Sequence, residues 1–82
     1  MMQFFYVYIL QSELAIEHFY VGRTEDLRAR LKKHNAGEVP HTAKFRPWQI
    51  KTAIAFKEEN RAVKFERYLK TASGRAFAKK RL

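Results

Sequence analysis

The hydrophobic positions of this 82-residue chain fall into short runs whose spacing predicts strands first and helices later. The run from Phe4 to Leu10 is rich in aromatic and β-branched residues, which is typical of a strand buried on both faces. A second run, His18 to Gly22, follows a loop predicted over residues 11–17. The short connection indicates an antiparallel pair of strands, and Gly22 is expected to end the second one.

The spacing after Gly22 changes to that of a helix. Thr24 is a capping residue, and the two acidic residues after it place negative charge at the helix N-terminus. Leu27 and Leu31 form the predicted buried stripe, and Gly37 is the expected stop.

The second half of the chain predicts a loop, a strand and two helices. Residues 38–47 are polar and basic with two prolines, which is typical of a loop. Residues 48–56 partly alternate and predict a third strand. A helix is predicted from about residue 58 to 70, and a basic tail helix over residues 75–82 after a break at Gly74.

These elements predict an α+β fold of order β-β-α-β-α-α. A small three-stranded sheet, antiparallel or mixed and flanked by helices, accounts for that order. A chain of 82 residues buries one core, so we expect a single domain over residues 1–82.

The charge of the chain points to a polyanionic partner. Lys and Arg number 17 against 8 Asp and Glu, a net charge of +9, and nucleic acid is the commonest such partner. No apolar run is long enough to span a bilayer and the first run lacks the flanks of a signal peptide, so a cytoplasmic protein without membrane attachment is expected. The absence of cysteine excludes disulfides and thiolate metal sites.

Five residues suggest chemistry by their order along the chain. Tyr8 and Tyr20 lie in the two predicted strands, Arg30 and His34 flank the stripe of the first helix, and Glu66 lies beside the stripe of a later one. In that order, on a basic domain, they are residues that phosphodiester hydrolysis with one metal ion could use.

Each of these residues also has an ordinary structural interpretation. The tyrosines are typical core aromatics, and the basic pair is typical of a helix end. Glu66 precedes Lys70 by four residues, which by itself stabilises an exposed helix. The functional hypothesis therefore depends on the combination.

The combination resembles the GIY-YIG nuclease superfamily, in particular its small single-domain bacterial members. The two name-giving motifs match Tyr6-Val7-Tyr8 and Tyr20-Val21-Gly22, and the stretch Asp26–Asn35 and the helix with Glu66 follow in the family's order. The resemblance covers essentially the whole chain. The first motif has Tyr6 where the family name has glycine.

The resemblance implies a nuclease module like those of excision-repair incision subunits, with catalytic residues Tyr8, Tyr20, Arg30 and His34. Glu66 stands at the metal-binding glutamate, and Mg²⁺ or Mn²⁺ suits a single carboxylate. The ion and the arginine would stabilise charge on the phosphate, and nearby cations are expected to lower the pKa of Tyr8. Tyr8 would deprotonate or orient the attacking water, with Tyr20 or His34 positioning it, and the identity of the base stays open.

Several cations outside this set are predicted to bind the phosphate backbone. They are Lys44, Arg46, Lys51, Arg75, Lys79, Lys80 and Arg81. Phosphate contacts do not read base sequence, so selectivity is left to DNA structure, including branched or single-stranded DNA, to a protein partner or to a homodimer. The leading hypothesis is a metal-dependent DNA endonuclease. The alternatives are a catalytically silent nucleic-acid-binding module and an accessory protein that docks on an acidic partner.

Overall fold

Three strands form one antiparallel sheet in the computed structural model, which describes residues 3–82. They are β1 (Phe5–Ser12), β2 (Phe19–Thr24) and β3 (Trp48–Phe56). Their order in the sheet is β2-β1-β3, so the most apolar strand lies in the centre with an antiparallel partner on each side. The predicted α+β fold and its element order are confirmed, with a sheet that is antiparallel throughout.

Four helices cover the two faces of this sheet. They are α1 (Leu27–Asn35), the short α2 (Pro40–Ala43), α3 (Glu59–Leu69) and α4 (Ala72–Arg81). Helices α1 and α2 lie on one face and α3 and α4 on the other. Within residues 3–82, every helix is too short or too polar to cross a bilayer.

The strict alternation of side chains along β1 divides the core into two halves. Val7 and Ile9 pack against α3 and the end of α4. Tyr8 and Leu10 point to the other face, where Trp48 and the leucines of α1 surround them. One strand therefore supplies both halves of the core, which explains its continuous hydrophobicity.

Two of the predicted element ends are wrong near the first helix. Strand β2 continues through Gly22 to Thr24. The N-cap of α1 is Asp26, whose Oδ1 accepts from the Ala29 N–H at 3.0 Å, while Thr24 Oγ1 accepts from the Asp26 N–H at 3.1 Å in the preceding turn. Thr24 and Asp26 are both common N-cap residues. Because Thr24 is still paired with Tyr6 of β1, the helix begins later and Asp26 caps it.

Two further predictions are wrong in the second half of the chain. The predicted loop over residues 38–47 contains α2, which Pro40 begins. Helix α4 starts at Ala72 with Thr71 as its N-cap, so Gly74 lies inside the helix and not at a break. Gly74 is buried against the backbone of Tyr68. A side chain at this position would overlap the Tyr68 carbonyl, so only glycine fits there.

Candidate active site

Tyr8 lies at the centre of the site, in the middle of β1 and almost fully buried at 2% exposure. Its pairing partner on β2 is Gly22. A side chain at Gly22 would overlap the Tyr8 hydroxyl and would approach the Tyr20 ring to 3.0 Å. Gly22 is therefore needed where it is because the Tyr8 ring lies across its backbone, and not because a strand ends there.

Helix α1 brings Arg30 and His34 onto this tyrosine. The Tyr8 hydroxyl is 2.9 Å from His34 Nε2, and Arg30 Nε–H donates to the Tyr8 oxygen at 3.3 Å. His34 has no exposed surface, whereas the sequence placed it only beside the apolar stripe of the helix. Residues 26 positions apart thus meet directly beneath α1.

Thr42 is the residue of this site that sequence analysis missed. It lies in α2, is fully buried, and its Oγ1 is 2.7 Å from His34 Nδ1. Its only local signal is a hydroxyl residue within a basic loop, which is too common to identify a site. The contact depends on α2 folding back over α1.

One assignment of the protons satisfies all the hydrogen bonds among Arg30, Tyr8, His34 and Thr42. The Thr42 hydroxyl donates to the Val39 carbonyl at 3.2 Å, and its single hydrogen leaves it only an acceptor for His34. The His34 Nδ1–H therefore donates to Thr42, and Nε2 carries no proton in the neutral ring. Consequently the Tyr8 hydroxyl donates to Nε2 and accepts from Arg30.

The pKa values of the two buried groups agree with these neutral forms. Burial, followed by the charge of Arg30, lowers the pKa of His34 to about 4, so the imidazole is neutral at pH 7. Burial raises the pKa of Tyr8 above its usual 10, although Arg30 opposes the shift. Arg30 lowers this pKa as expected, but burial outweighs its effect.

Tyr20 lies between solvent and the series of hydrogen-bonded side chains formed by Arg30, Tyr8, His34 and Thr42. It is half-buried, and its ring centroid is 5.0 Å from that of His34 and 6.5 Å from that of Tyr8. Arg30 interacts with both phenols, mainly with Tyr8, and these contacts raise the pKa of the guanidinium. Arg30 is therefore charged at every ordinary pH.

Glu66 reaches the site from the opposite face of the sheet. Its Oε1 accepts from Arg23 Nε at 3.3 Å and its Oε2 from Lys70 Nζ at 3.1 Å. It makes no hydrogen bond to Tyr8, but its charge is among the weaker influences that raise the pKa of that tyrosine, after burial. The predicted Glu66–Lys70 pair is present, and Arg23 is a second cation that the sequence did not indicate.

Glu66 is the carboxylate that this site offers to a metal ion. Among residues 3–82, no three His, Cys, Asp or Glu side chains come together as a ready-made cation site. One carboxylate suits a hard divalent ion that takes its remaining ligands from water and a substrate phosphate. Arg23 and Lys70 are 36% and 52% exposed, so both can move away from the carboxylate.

The predicted phosphate-binding cations do not form one patch. Lys44 and Arg46 follow α2 on one side of the sheet, and the Lys44 ammonium lies 5.6 Å from the centroid of the Phe45 ring. The predicted cations of the C-terminal tail lie on α4, on the opposite side of the sheet. Those residues are Arg75, Lys79, Lys80 and Arg81.

Comparison with known proteins identifies the family of this chain. Residues 4–81 match the GIY-YIG family, described as the GIY-YIG catalytic domain, and the chain belongs to that family. The chain is also 40% identical over 70 residues to the structure-specific endonuclease subunit SLX1 of Scheffersomyces stipitis. That alignment covers 77% of this chain and 21% of the relative, so the chain spans about a fifth of the length of the protein it matches.

Proposed function

We propose that this chain is the catalytic domain of a divalent-metal-dependent endonuclease that hydrolyses DNA phosphodiester bonds. The observation that carries the proposal is the buried series Arg30–Tyr8–His34–Thr42, which gives the central tyrosine a defined donor and a defined acceptor. The family match, the name of the SLX1 relative and the net charge of +9 support the same function. The choice of substrate falls to DNA structure or to a protein partner.

In this proposal, Tyr8 relays the proton of the attacking water to His34, whose low pKa the negative charge of a bound phosphate would raise. A phenol with a raised pKa is a poor base alone, but its hydroxyl already points at the bare Nε2 of His34. As the attacking water gives its proton to the Tyr8 oxygen, the tyrosine proton moves to Nε2. Tyr20, nearer to solvent, orients the water.

Arg30 is assigned to charge stabilisation. Its Nε–H on the Tyr8 oxygen favours any negative charge that gathers there during the transfer. The rest of the guanidinium fork offers further N–H donors to phosphate oxygens. Such donors act most strongly on charge that develops in the transition state.

Glu66 is the residue assigned to hold Mg²⁺ or Mn²⁺, since one carboxylate fits the way these ions bind phosphate substrates. The ion would polarise a phosphoryl oxygen when bound. Arg23 and Lys70, which pair with Glu66, would exchange that partner for the phosphates of the substrate.

Nuclease assays with a matched variant test the proposal. Purified protein is incubated with branched, flapped, single-stranded and duplex DNA, and with an RNA of the same sequence, in Mg²⁺, Mn²⁺ or EDTA. We expect metal-dependent nicking of at least one DNA substrate, and a loss of at least about 10²-fold in Tyr8→Phe, which keeps the ring and removes the relay. Nicking that survives in EDTA or in Tyr8→Phe would contradict the assignment.

One observation favours a second candidate, a binding module of the same fold that does not cleave. Both oxygens of Glu66 accept hydrogen bonds from cations, as they would in a purely structural network. Binding to all of these substrates without nicking of any would favour this candidate. The cytoplasmic location and the identity of any protein partner or second copy stay predictions from the sequence.

A further inference from the structure

A basic groove of about 930 Å³ lies on the α3–α4 side of the sheet, along the start of β2. Its floor includes the buried side chains of Ile9 and Leu69. Four cations, from β3, from α4 and from the C-terminal end of α3, converge around it. They are Lys51, Lys70, Arg75 and Lys79. Glu17 contributes one carboxylate to its lining.

An exposed aromatic ring lies within this groove. Phe19, the first residue of β2, is 51% exposed, and the Lys51 ammonium lies 5.8 Å from its ring centroid. An aromatic ring among cations is the arrangement on which proteins stack unpaired bases while they hold the backbone.

The groove is continuous with the candidate active site at Lys70. Lys70, one of its cations, donates to the Glu66 carboxylate at 3.1 Å. A nucleic-acid strand that lies in the groove is therefore led to Glu66, the residue assigned to hold the metal ion.

We propose that this groove binds an unpaired nucleic-acid strand next to the scissile phosphate, so that the substrate carries a single-stranded arm. The inference rests on the proposed nuclease function and adds the surface that binds one nucleic-acid strand of the substrate. An apolar floor with a cationic rim suits a single strand, which can turn its bases inward and its phosphates toward the rim. A duplex presents phosphates outward on both sides and would leave the floor and Phe19 uncovered.

Binding measured in EDTA separates this inference from the cleavage reaction. The probes are a short fluorescent oligothymidylate and a blunt duplex, and anisotropy gives each affinity across a salt series. The first test variant is Phe19→Ala, and the second combines Arg75→Gln with Lys79→Gln. The matched control combines Lys57→Gln with Lys64→Gln, two exposed cations outside the groove. Circular dichroism establishes that each variant is folded.

We expect Phe19→Ala to weaken oligothymidylate binding by about 5- to 150-fold, as the loss of one base stack does. The groove double variant should flatten the dependence of log affinity on log salt by up to about 0.7 for each lost phosphate contact on a single strand. The control should change little by comparison, and duplex binding should be nearly unaffected by Phe19→Ala.

Equal weakening by the groove and control variants would overturn the inference, as would equal weakening on the duplex. Competition by poly-L-glutamate that depends on Arg75 and Lys79, with no binding of oligothymidylate, would assign the groove to an acidic protein instead. Failure of the nuclease proposal looks different, because no substrate is then nicked although the strand still binds in the groove.

Discussion

Replacing Thr42 with valine removes one hydroxyl from the buried series and keeps the shape of the side chain. The Val39 carbonyl retains the backbone N–H donors of Thr42 and Ala43, at 3.1 Å each. Only His34 Nδ1–H loses its partner, a contact of 2.7 Å in a site without exposed surface. The variant therefore isolates one hydrogen bond.

The magnitude follows from that single orphaned group. A buried donor without a partner costs about 1–3 kcal/mol of stability. For a domain of this size, each kcal/mol lowers Tm by about 4–8 °C. The imidazole is also free to carry its proton on Nε2, where it would donate to the Tyr8 oxygen and reverse the relay. We therefore expect turnover to fall by about 10- to 100-fold, within the usual contribution of acid–base catalysis.

Thermal unfolding and single-turnover cleavage at saturating DNA measure the two effects separately. Thr42→Ser is the control, because it keeps the hydroxyl and loses one buried methyl worth about 0.8 kcal/mol. Serine should reduce stability slightly and preserve turnover. If valine and serine cleave at the same rate, the orientation of His34 by Thr42 does not matter for the reaction, and the assigned direction of proton transfer is wrong.

Three other predictions concern the assigned groups. Glu66→Gln should lose several kcal/mol of metal-assisted catalysis, at least about 10²-fold, and should also lose any rise in Tm caused by Mn²⁺ in the parent; an unchanged Mn²⁺ effect would exclude Glu66 as the ligand. Arg30→Lys keeps the charge but loses the planar fork, so turnover should fall by about 10²- to 10³-fold with a modest change in affinity, and a loss of affinity alone would make Arg30 a simple phosphate clamp. The third prediction concerns pH. The pKa of His34 is about 4 in the folded protein, below the usual 6.5, so the imidazole binds a proton in the unfolded chain at a higher pH than in the folded one. The free energy of unfolding should therefore decrease as pH falls from 6.5 toward 4. Urea unfolding measures this decrease between about pH 6.5 and 5, where carboxylates contribute little. The decrease should be absent in His34→Asn and present in the control His41→Asn, whose histidine is exposed. Equal decreases in both variants would refute the burial of a neutral imidazole.

The sequence by itself determined the elements whose cause is local. The continuous run around Val7 and Ile9 predicted a central strand because a strand covered on both faces has no polar side to show. The apolar spacing of α3 predicted a helix, since it recurs every three to four residues. The motif order also indicated Tyr8, Arg30 and His34, although only their resemblance to a family linked them.

Only the tertiary structure decided how these residues meet. The Tyr8–His34 contact joins β1 to α1 across 26 positions, and the Thr42 contact requires α2 to fold over both. The burial that raises the pKa of Tyr8 depends on that cover, and so does the direction of each proton. Gly22 likewise looked like a strand end, because the sequence does not reveal that a ring from the neighbouring strand crosses its backbone. Periodicity records which face of an element is apolar, but the partners on that face come from distant segments, and their packing fixes the chemistry.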